Sequence, residues 1–260
     1  MTSTSLRLPL ALAFLALTSL PSKAGDWPQW RGPDRSDRSS EKNLLKKWPQ
    51  EGPKKLWVFE KAGLGYSGFS TADGRLFTMG ARDGKEVVIA IDAAKGTELW
   101  ASPAGDVYSN HWGDGPRGTP TIESGKVYAL GAQGNIVCLE ATTGKEVWRA
   151  SMTGMGGKVP GWGYCESLLV ENGTVYCTPG GAQGAIAALD QNTGKVKWRT
   201  KDFTDEAHYS SIVPVDHNGA RQLIQLSPKN VVGIDGRTGA TLWTSPWPGR
   251  TAVIPTPIFK

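Results

Sequence analysis

The chain has 260 residues, among them 33 glycines, 17 prolines and 11 tryptophans, with few long helix-forming runs, and this composition points to an all-β protein rich in turns. Its formal charge is a mild +5, and setting aside Arg7 and Lys23 of the first 24 residues leaves 27 basic residues against 24 acidic ones. No lysine or arginine stripe is present, so the surface reads as mixed and solvated, which argues against nucleic acid as a partner.

The N-terminus carries Arg7, an apolar run over 8–20, and then Pro21-Ser22-Lys23-Ala24. A basic start, about a dozen apolar residues and small residues at Ser22 and Ala24 form the pattern of a cleavable secretory signal. A membrane anchor needs roughly 20 apolar residues. The expectation is export to the periplasm or medium, cleavage after Ala24 and no transmembrane segment in the mature chain. Residues 25–53, with Trp27-Pro28-Gln29-Trp30 and a polar run through Lys42, read as an irregular lead-in whose tryptophans plug onto the body. Residues 54–59, Lys-Lys-Leu-Trp57-Val-Phe59, resemble the end of a repeat without its beginning.

Four repeats follow. Ile89-Ala-Ile-Asp92-Ala-Ala-Lys-Gly96-Thr-Glu-Leu-Trp100 returns as Glu140, Gly144 and Trp148, as Asp190, Gly194 and Trp198, and as Asp235, Gly239 and Trp243. The acid advances by 48, 50 and 45 residues, while glycine and tryptophan keep offsets of four and eight. Such a period means an array of one supersecondary unit. Each unit opens with a Ser/Thr/Pro-containing strand. It then turns at Asp73-Gly74, Ser124-Gly125, Asn172-Gly173 or Asn218-Gly219, dipeptides suited to positive φ. A short apolar second strand leads through a gap containing Gly80, Gly131 or Gly180 to the third strand, which carries the motif. Four short strands per unit is the signature of a β-propeller blade. Within the motif, Asp92, Asp190 and Asp235 bond amides of the following turn, Glu140 does so less well, and each glycine closes the turn. The tryptophans, with Trp57 as a fifth, dock adjacent blades. Blades are expected over 63–103, 115–152, 163–203 and 208–247, with the start of a fifth over 251–260.

Cys138, Cys165 and Cys177 are the only cysteines. Cys138 takes the slot of Ala90, Ala188 and Gly233 and reads as a small buried residue. A turn at Asn172-Gly173 sets Cys177 opposite Leu168, an odd offset from Cys165, so these two side chains point to opposite faces and form no disulfide.

In phase over residues 54–247, these motifs resemble the pyrroloquinoline-quinone (PQQ)-type propeller repeat family, with its A-x-D-x-x-T-G-x-x-x-W pattern. The lead-in Trp27-Pro-Gln-Trp30-Arg-Gly and Gly163-Tyr-Cys-Glu-Ser167 are similar to a secreted branch of that family. The resemblance implies a closed eight-bladed propeller, which needs on the order of 380 residues. Four blades in an arc leave two open edges. The expectation is therefore a fragment of a longer propeller, or a ring closed by self-association of two copies.

Chemistry is less legible. Gly63-Leu-Gly65-Tyr-Ser-Gly68 matches a dinucleotide fingerprint but leads into a hairpin rather than a helix. Asn172-Gly-Thr174 fits a glycosylation acceptor and is more simply a turn. His111, His208 and His217 have no metal-ligand spacing with the cysteines. The loops entering each blade are polar and aromatic, and in a propeller they line the central funnel. Tyr66, Trp112, Arg117, Trp162, Glu166, His208 and Ser210 are the candidate ligand-binding residues, with aromatic rings stacking on a ligand and Arg117 and Glu166 fixing its polar groups. No catalytic residue or metal ligand is assigned. The leading reading is a non-catalytic scaffold that binds a protein, glycan or small molecule. The resemblance also implies a quinoprotein alcohol dehydrogenase using PQQ with calcium, although no Cys-Cys dipeptide is present for the quinone. It further implies a role like that of an outer-membrane protein assembly propeller, although no lipid-bearing cysteine follows the apolar run. N-terminal sequencing of the exported protein is expected to begin at Gly25, and an intact Met1 on the exported form would refute the signal assignment.

Overall fold

The four expected turn dipeptides all place both residues at positive φ, 49° to 52° at the first and 72° to 74° at the second. This is the two-residue hairpin geometry that follows the natural twist of its strands. The computed structural model describes residues 25–259, and no helix occurs among them. The expected signal segment lies outside the described residues.

The turns open four antiparallel sheets. The first contains β1 (Ser70–Ala72), β2 (Arg75–Arg82), β3 (Lys85–Asp92) and β4 (Glu98–Asp106), and the second β5 (Thr121–Glu123), β6 (Lys126–Leu130), β7 (Asn135–Glu140) and β8 (Glu146–Ser151). The third contains β9 (Leu169–Glu171), β10 (Thr174–Cys177), β11 (Ala187–Asp190) and β12 (Val196–Arg199), and the fourth β13 (Val213–His217), β14 (Ala220–Leu226), β15 (Asn230–Asp235) and β16 (Thr241–Pro246). Each sheet is a four-strand meander in chain order. The first strands β1, β5 and β9 lie side by side, so the sheets are propeller blades set around a common centre.

One row of side chains recurs across the blades. The small residue of each third strand faces the motif tryptophan: Ala90 pairs with Trp100, Cys138 with Trp148, Ala188 with Trp198 and Gly233 with Trp243. A bulge follows that pair in every blade, at the step to the last aliphatic residue. On the other side of the small residue stands Phe77, Tyr128 or Tyr176, with ring centroids 6.0, 6.0 and 5.9 Å from the tryptophan of the same blade. The small slot is therefore space taken by an indole.

The same indole also reaches the next blade. Trp57, Trp100, Trp148 and Trp198 lie on Gly96, Gly144, Gly194 and Gly239, where an added Cβ would sit 2.4–2.6 Å from the ring. The glycine is needed twice, for its φ of 67° to 77° and for this close approach. Trp57, Trp100 and Trp148 also donate Nε1 to the carbonyls of Ala93, Ala141 and Gln191, at 3.0, 3.2 and 2.9 Å. Asp92, Asp190 and Asp235 each accept two turn amides on Oδ1. Glu140 accepts turn amides only on its backbone carbonyl, its side chain being one methylene too long for the same cap.

Some segments depart from the sequence reading. Gly80 lies inside β2 rather than in a gap, because a second hairpin at Asp83-Gly84 extends β2 and β3 to eight residues each. Residues 54–59 form no strand, yet Trp57 and Phe59 cover Val87, Ile89 and Ile91 of the first blade. Residues 251–259 form no opening strand of a fifth blade. They fold back on the fourth, where Val253 exchanges hydrogen bonds with His208 Nδ1 and the Tyr209 amide. Trp243 differs from the other motif tryptophans in donating to Gln222 of its own blade at 2.9 Å. The three cysteines are free and buried.

The lead-in runs along the inner strands. Trp27 pairs with Thr71, and the Ile122 amide donates to Pro28 O. Arg35, only 2% exposed, donates to Ile212 O at 2.8 Å, to Ser167 O at 3.1 Å and to Leu168 O. Gln29 Oε1 accepts its Nε at 2.9 Å.

In urea denaturation, Trp148→Ala should lower stability by about 3–5 kcal/mol, as expected for loss of a buried aromatic side chain. Gly194→Ala should cost more than the roughly 1–2 kcal/mol of its left-handed backbone, because the new methyl meets the Trp148 ring. In the Trp148→Ala background that second cost should shrink, and strictly additive losses would show that the two residues are not coupled.

Candidate functional site

The segments that precede the first strands of the blades meet in a concavity of about 620 Å³. Tyr66 comes from the entry to the first blade, Trp112 and Arg117 from the entry to the second, and Trp162 from the entry to the third. The lead-in contributes Trp30, and Thr251 and Ile254 line it from the C-terminal segment. Tyr66 and Trp112 stand at 60% and 64% exposure. Large exposed aromatic groups around a hollow mark a surface built for contact.

The loop that carries Trp112 and Arg117 is held from several sides. The Trp112 amide donates to Asn110 Oδ1 at 2.9 Å, the Asn110 amide to Asp114 Oδ1 at 3.2 Å, and the Tyr66 hydroxyl to Trp112 O at 2.7 Å. Tyr108 ties this loop to the next blade by donating its hydroxyl to Gly161 O at 2.7 Å. Glu86, buried in the first blade, accepts the amides of Ala132 at 2.8 Å and Tyr108 at 3.3 Å. Burial pushes its carboxyl above the ordinary range. On the far wall, Trp162 stacks on Tyr209, with centroids 5.3 Å apart and planes at 27°.

Of the residues singled out from sequence, Tyr66, Trp112, Arg117 and Trp162 are brought together on this wall, and Glu166, His208 and Ser210 are not. Glu166 is 2% exposed and accepts both the amide and the hydroxyl of Thr178, the hydroxyl at 2.8 Å. Gln225 donates to Thr178 Oγ1 at 2.7 Å and to Ser210 O at 3.2 Å, so Glu166 and Ser210 belong to a buried network joining the third and fourth blades. His208 lines a smaller concavity of about 290 Å³ beside Trp162. Its Nδ1 accepts the Val253 amide at 3.0 Å, and burial, opposed by Glu206, lowers its pKa. Trp30, expected from sequence only to plug onto the body, lines the hollow, as do Ser167 and Ser211 of the polar entry loops. A hydroxyl at every inner-strand start was the available signal for the last two. Ser167 Oγ accepts the Thr119 amide and Ser211 Oγ the Ser167 amide, each at 2.9 Å.

Arg117 is the one guanidinium on the wall. It donates to Gly113 O at 2.8 Å and to Gly115 O, and lies over the rings of Tyr108 and Tyr66 at 4.9 and 5.5 Å. Burial pushes the Cys165 thiol up to about 12 despite this cation, so at neutral pH it is protonated.

The family model described as "Outer membrane protein assembly factor BamB" matches residues 56–253. The chain belongs to this PQQ-like repeat family. No curated protein matches it. The quinohemoprotein alcohol dehydrogenase of Comamonas testosteroni aligns at 19% identity and a TM-score of 0.57, covering 85% of this chain and 41% of that one. A europium-containing methanol dehydrogenase aligns at 19% identity and a TM-score of 0.52, covering 69% of this chain and 41% of that one. BamB from Moraxella catarrhalis aligns at 24% identity and a TM-score of 0.47, covering 73% and 51%. The chain spans two fifths to one half of the length of these structures, and the two dehydrogenases share its fold.

The fold suggests a quinone and calcium, and the residues can be tested against both. Calcium takes six to eight oxygens, several of them from carboxylates. Glu166 is engaged by Thr178, Asp114 serves its own loop, and no three His, Cys, Asp or Glu side chains converge among the described residues. The wall has aromatic faces to hold a planar ring, but it sets only Arg117 against the three carboxylates of the quinone. These residues do not fit a calcium-bound quinone.

Glu166 makes the stability of the fold pH-dependent. Burial lifts its carboxyl from 4.5 to about 7, against the opposing effects of Thr178 and Arg35. Between those values the folded protein holds a proton that the unfolded chain has lost, so stability falls as pH rises from 4.5 to about 7 and is then level. At about 1.4 kcal/mol per tenfold change in proton affinity, the loss is on the order of 3 kcal/mol. Urea titrations across this range should show the decline in the native protein and a markedly shallower one in Glu166→Gln, the remainder coming from the raised Glu86 carboxyl, and equal slopes in the two would contradict the assignment.

Proposed function

We propose that this PQQ-like propeller is a periplasmic or secreted scaffold that binds a ligand in the aromatic concavity without transforming it. The observation that carries the reading is that Arg117, Glu166 and His208, the charged and titratable groups singled out around the concavity, are engaged within the fold. Arg117 is bonded to the carbonyls of its own loop, Glu166 to Thr178 and His208 Nδ1 to a backbone amide. Cys165 holds its proton. A general base or nucleophile needs a lone pair within reach of the reacting atom, and Glu166, at 2% exposure, and His208, whose Nδ1 lone pair holds the Val253 amide, present none to the concavity. The rings of Tyr66, Trp112 and Trp162, by contrast, face a hollow with no protein side chain filling it. The apolar run and small residues over 1–24 support export as the location.

Adding PQQ and calcium to the full chain should leave dye-linked oxidation of primary alcohols at the rate of the protein-free control. Turnover that rises with protein concentration and is abolished by chelation would overturn the non-catalytic reading and favour a quinoprotein dehydrogenase.

A further inference from the structure

We infer that the ligand class of the concavity is a neutral oligosaccharide. This inference rests on the scaffold reading and narrows it. Two kinds of surface make up the wall. The first is aromatic: Trp30, Trp112 and Trp162. The second is neutral and polar, above all Thr119, Ser167 and Ser211. The Ser167 and Ser211 hydroxyls each accept one backbone amide, which leaves their O–H groups to donate to a ligand.

Charge decides between ligand classes. Arg117 is the single ionised side chain on the wall, and its guanidinium is turned to Gly113 O and Gly115 O with Tyr66 and Tyr108 over its faces. A nucleotide or polycarboxylate would enter with more negative charge than this one engaged cation can balance, and desolvating the excess is costly. A purely apolar ligand would leave the serine hydroxyls unpaired. A pyranose ring offers what both surfaces need, an apolar C–H face to lie on an indole and equatorial hydroxyls at its edge. The exposed rings of Tyr66 and Trp112 carry the aromatic surface beyond the hollow, which suits a chain of sugars rather than a single one.

The test is titration of the full chain with cellohexaose, xylohexaose and chitohexaose, with hexagalacturonate and PQQ as charged comparators, followed by tryptophan fluorescence. At least one neutral hexaose should give a saturable shift with Kd of about 10 µM to 1 mM. That affinity should be insensitive to added salt, because no ion pair forms. Trp162→Ala should weaken it by about tenfold or more, the loss of one stacked aromatic contact. Trp112→Ala, at an exposed position where folding is not at stake, should also weaken it while leaving the thermal melt unchanged. No response to any of the three neutral hexaoses overturns the oligosaccharide class, as does salt-sensitive binding confined to the charged comparators. Alcohol turnover with the quinone would instead overturn the scaffold reading, so the two failures are read in separate assays.

Discussion

The joint between an indole and a glycine of the following blade is the contact on which the rest of the molecule depends. Trp148 lies on Gly194 while its N–H bonds Gln191 O, and both contacts cross from one sheet to the next. The hydrophobic contact fixes how closely two blades approach, and the hydrogen bond fixes their register. The aspartate caps matter because they hold the glycine in its left-handed turn, where the ring can reach it. Glu140 shows the tolerance of the device. Its side chain makes no cap, yet Gly144 keeps a φ of 69° and Trp100 still docks. The backbone bonds from Gly144 and Thr143 to Glu140 O suffice.

Register at the joints carries over to the centre, where blade entries must meet. Arg35 fills that centre with a charge that burial lowers to a pKa of about 10, still cationic at neutral pH. Its hydrogen bonds run to carbonyls of two different blades, so it works as a brace between inner strands. Glu166 lies close enough to influence it electrostatically, and burial pushes the two groups toward neutrality from opposite sides. A carboxylate at Glu166 compensates Arg35 while paying its own desolvation, and the raised pKa shows that desolvation outweighs the attraction. The lead-in is thereby a fixed part of the body, and Trp30 is held at the wall of the concavity.

The frame was legible in the sequence because its rules are local. Asp73-Gly74 or Asn172-Gly173 can be read as a hairpin from the φ values its residues tolerate, and a tryptophan eight residues after an acid is visible as a repeat. The second hairpin of the first blade was hidden because Gly80 matched the gap glycines Gly131 and Gly180, although Asp83-Gly84 carried the same turn chemistry as Asp73-Gly74. The site was less legible. Glu166 sits one residue from Ser167, yet one enters the joint between blades and the other lines the hollow. Alternation along a strand predicts that they diverge but not which of the two faces the hollow. Arg35 gave no signal at all, since its role exists only through residues about 130 and 180 positions away.

The division between frame and site explains how one repeat architecture can present different chemistry. The residues that set blade spacing lie on the third and fourth strands and in the turn between them, with few contacts to the concavity. The residues that line the concavity come from the lead-in, the segments before the first strands and the C-terminal segment, where a substitution leaves every indole–glycine joint intact. What constrains the wall is charge. Burial raises the carboxyls of Glu166 and Glu86 above their ordinary values, and Arg117 is bonded to its own loop. A charged ligand would have to compete with these internal commitments, whereas rings and hydroxyls meet groups that the fold leaves unspent. The same low-polarity centre that makes the blades cohere thus selects against ionic recognition and favours stacking with neutral hydrogen bonds.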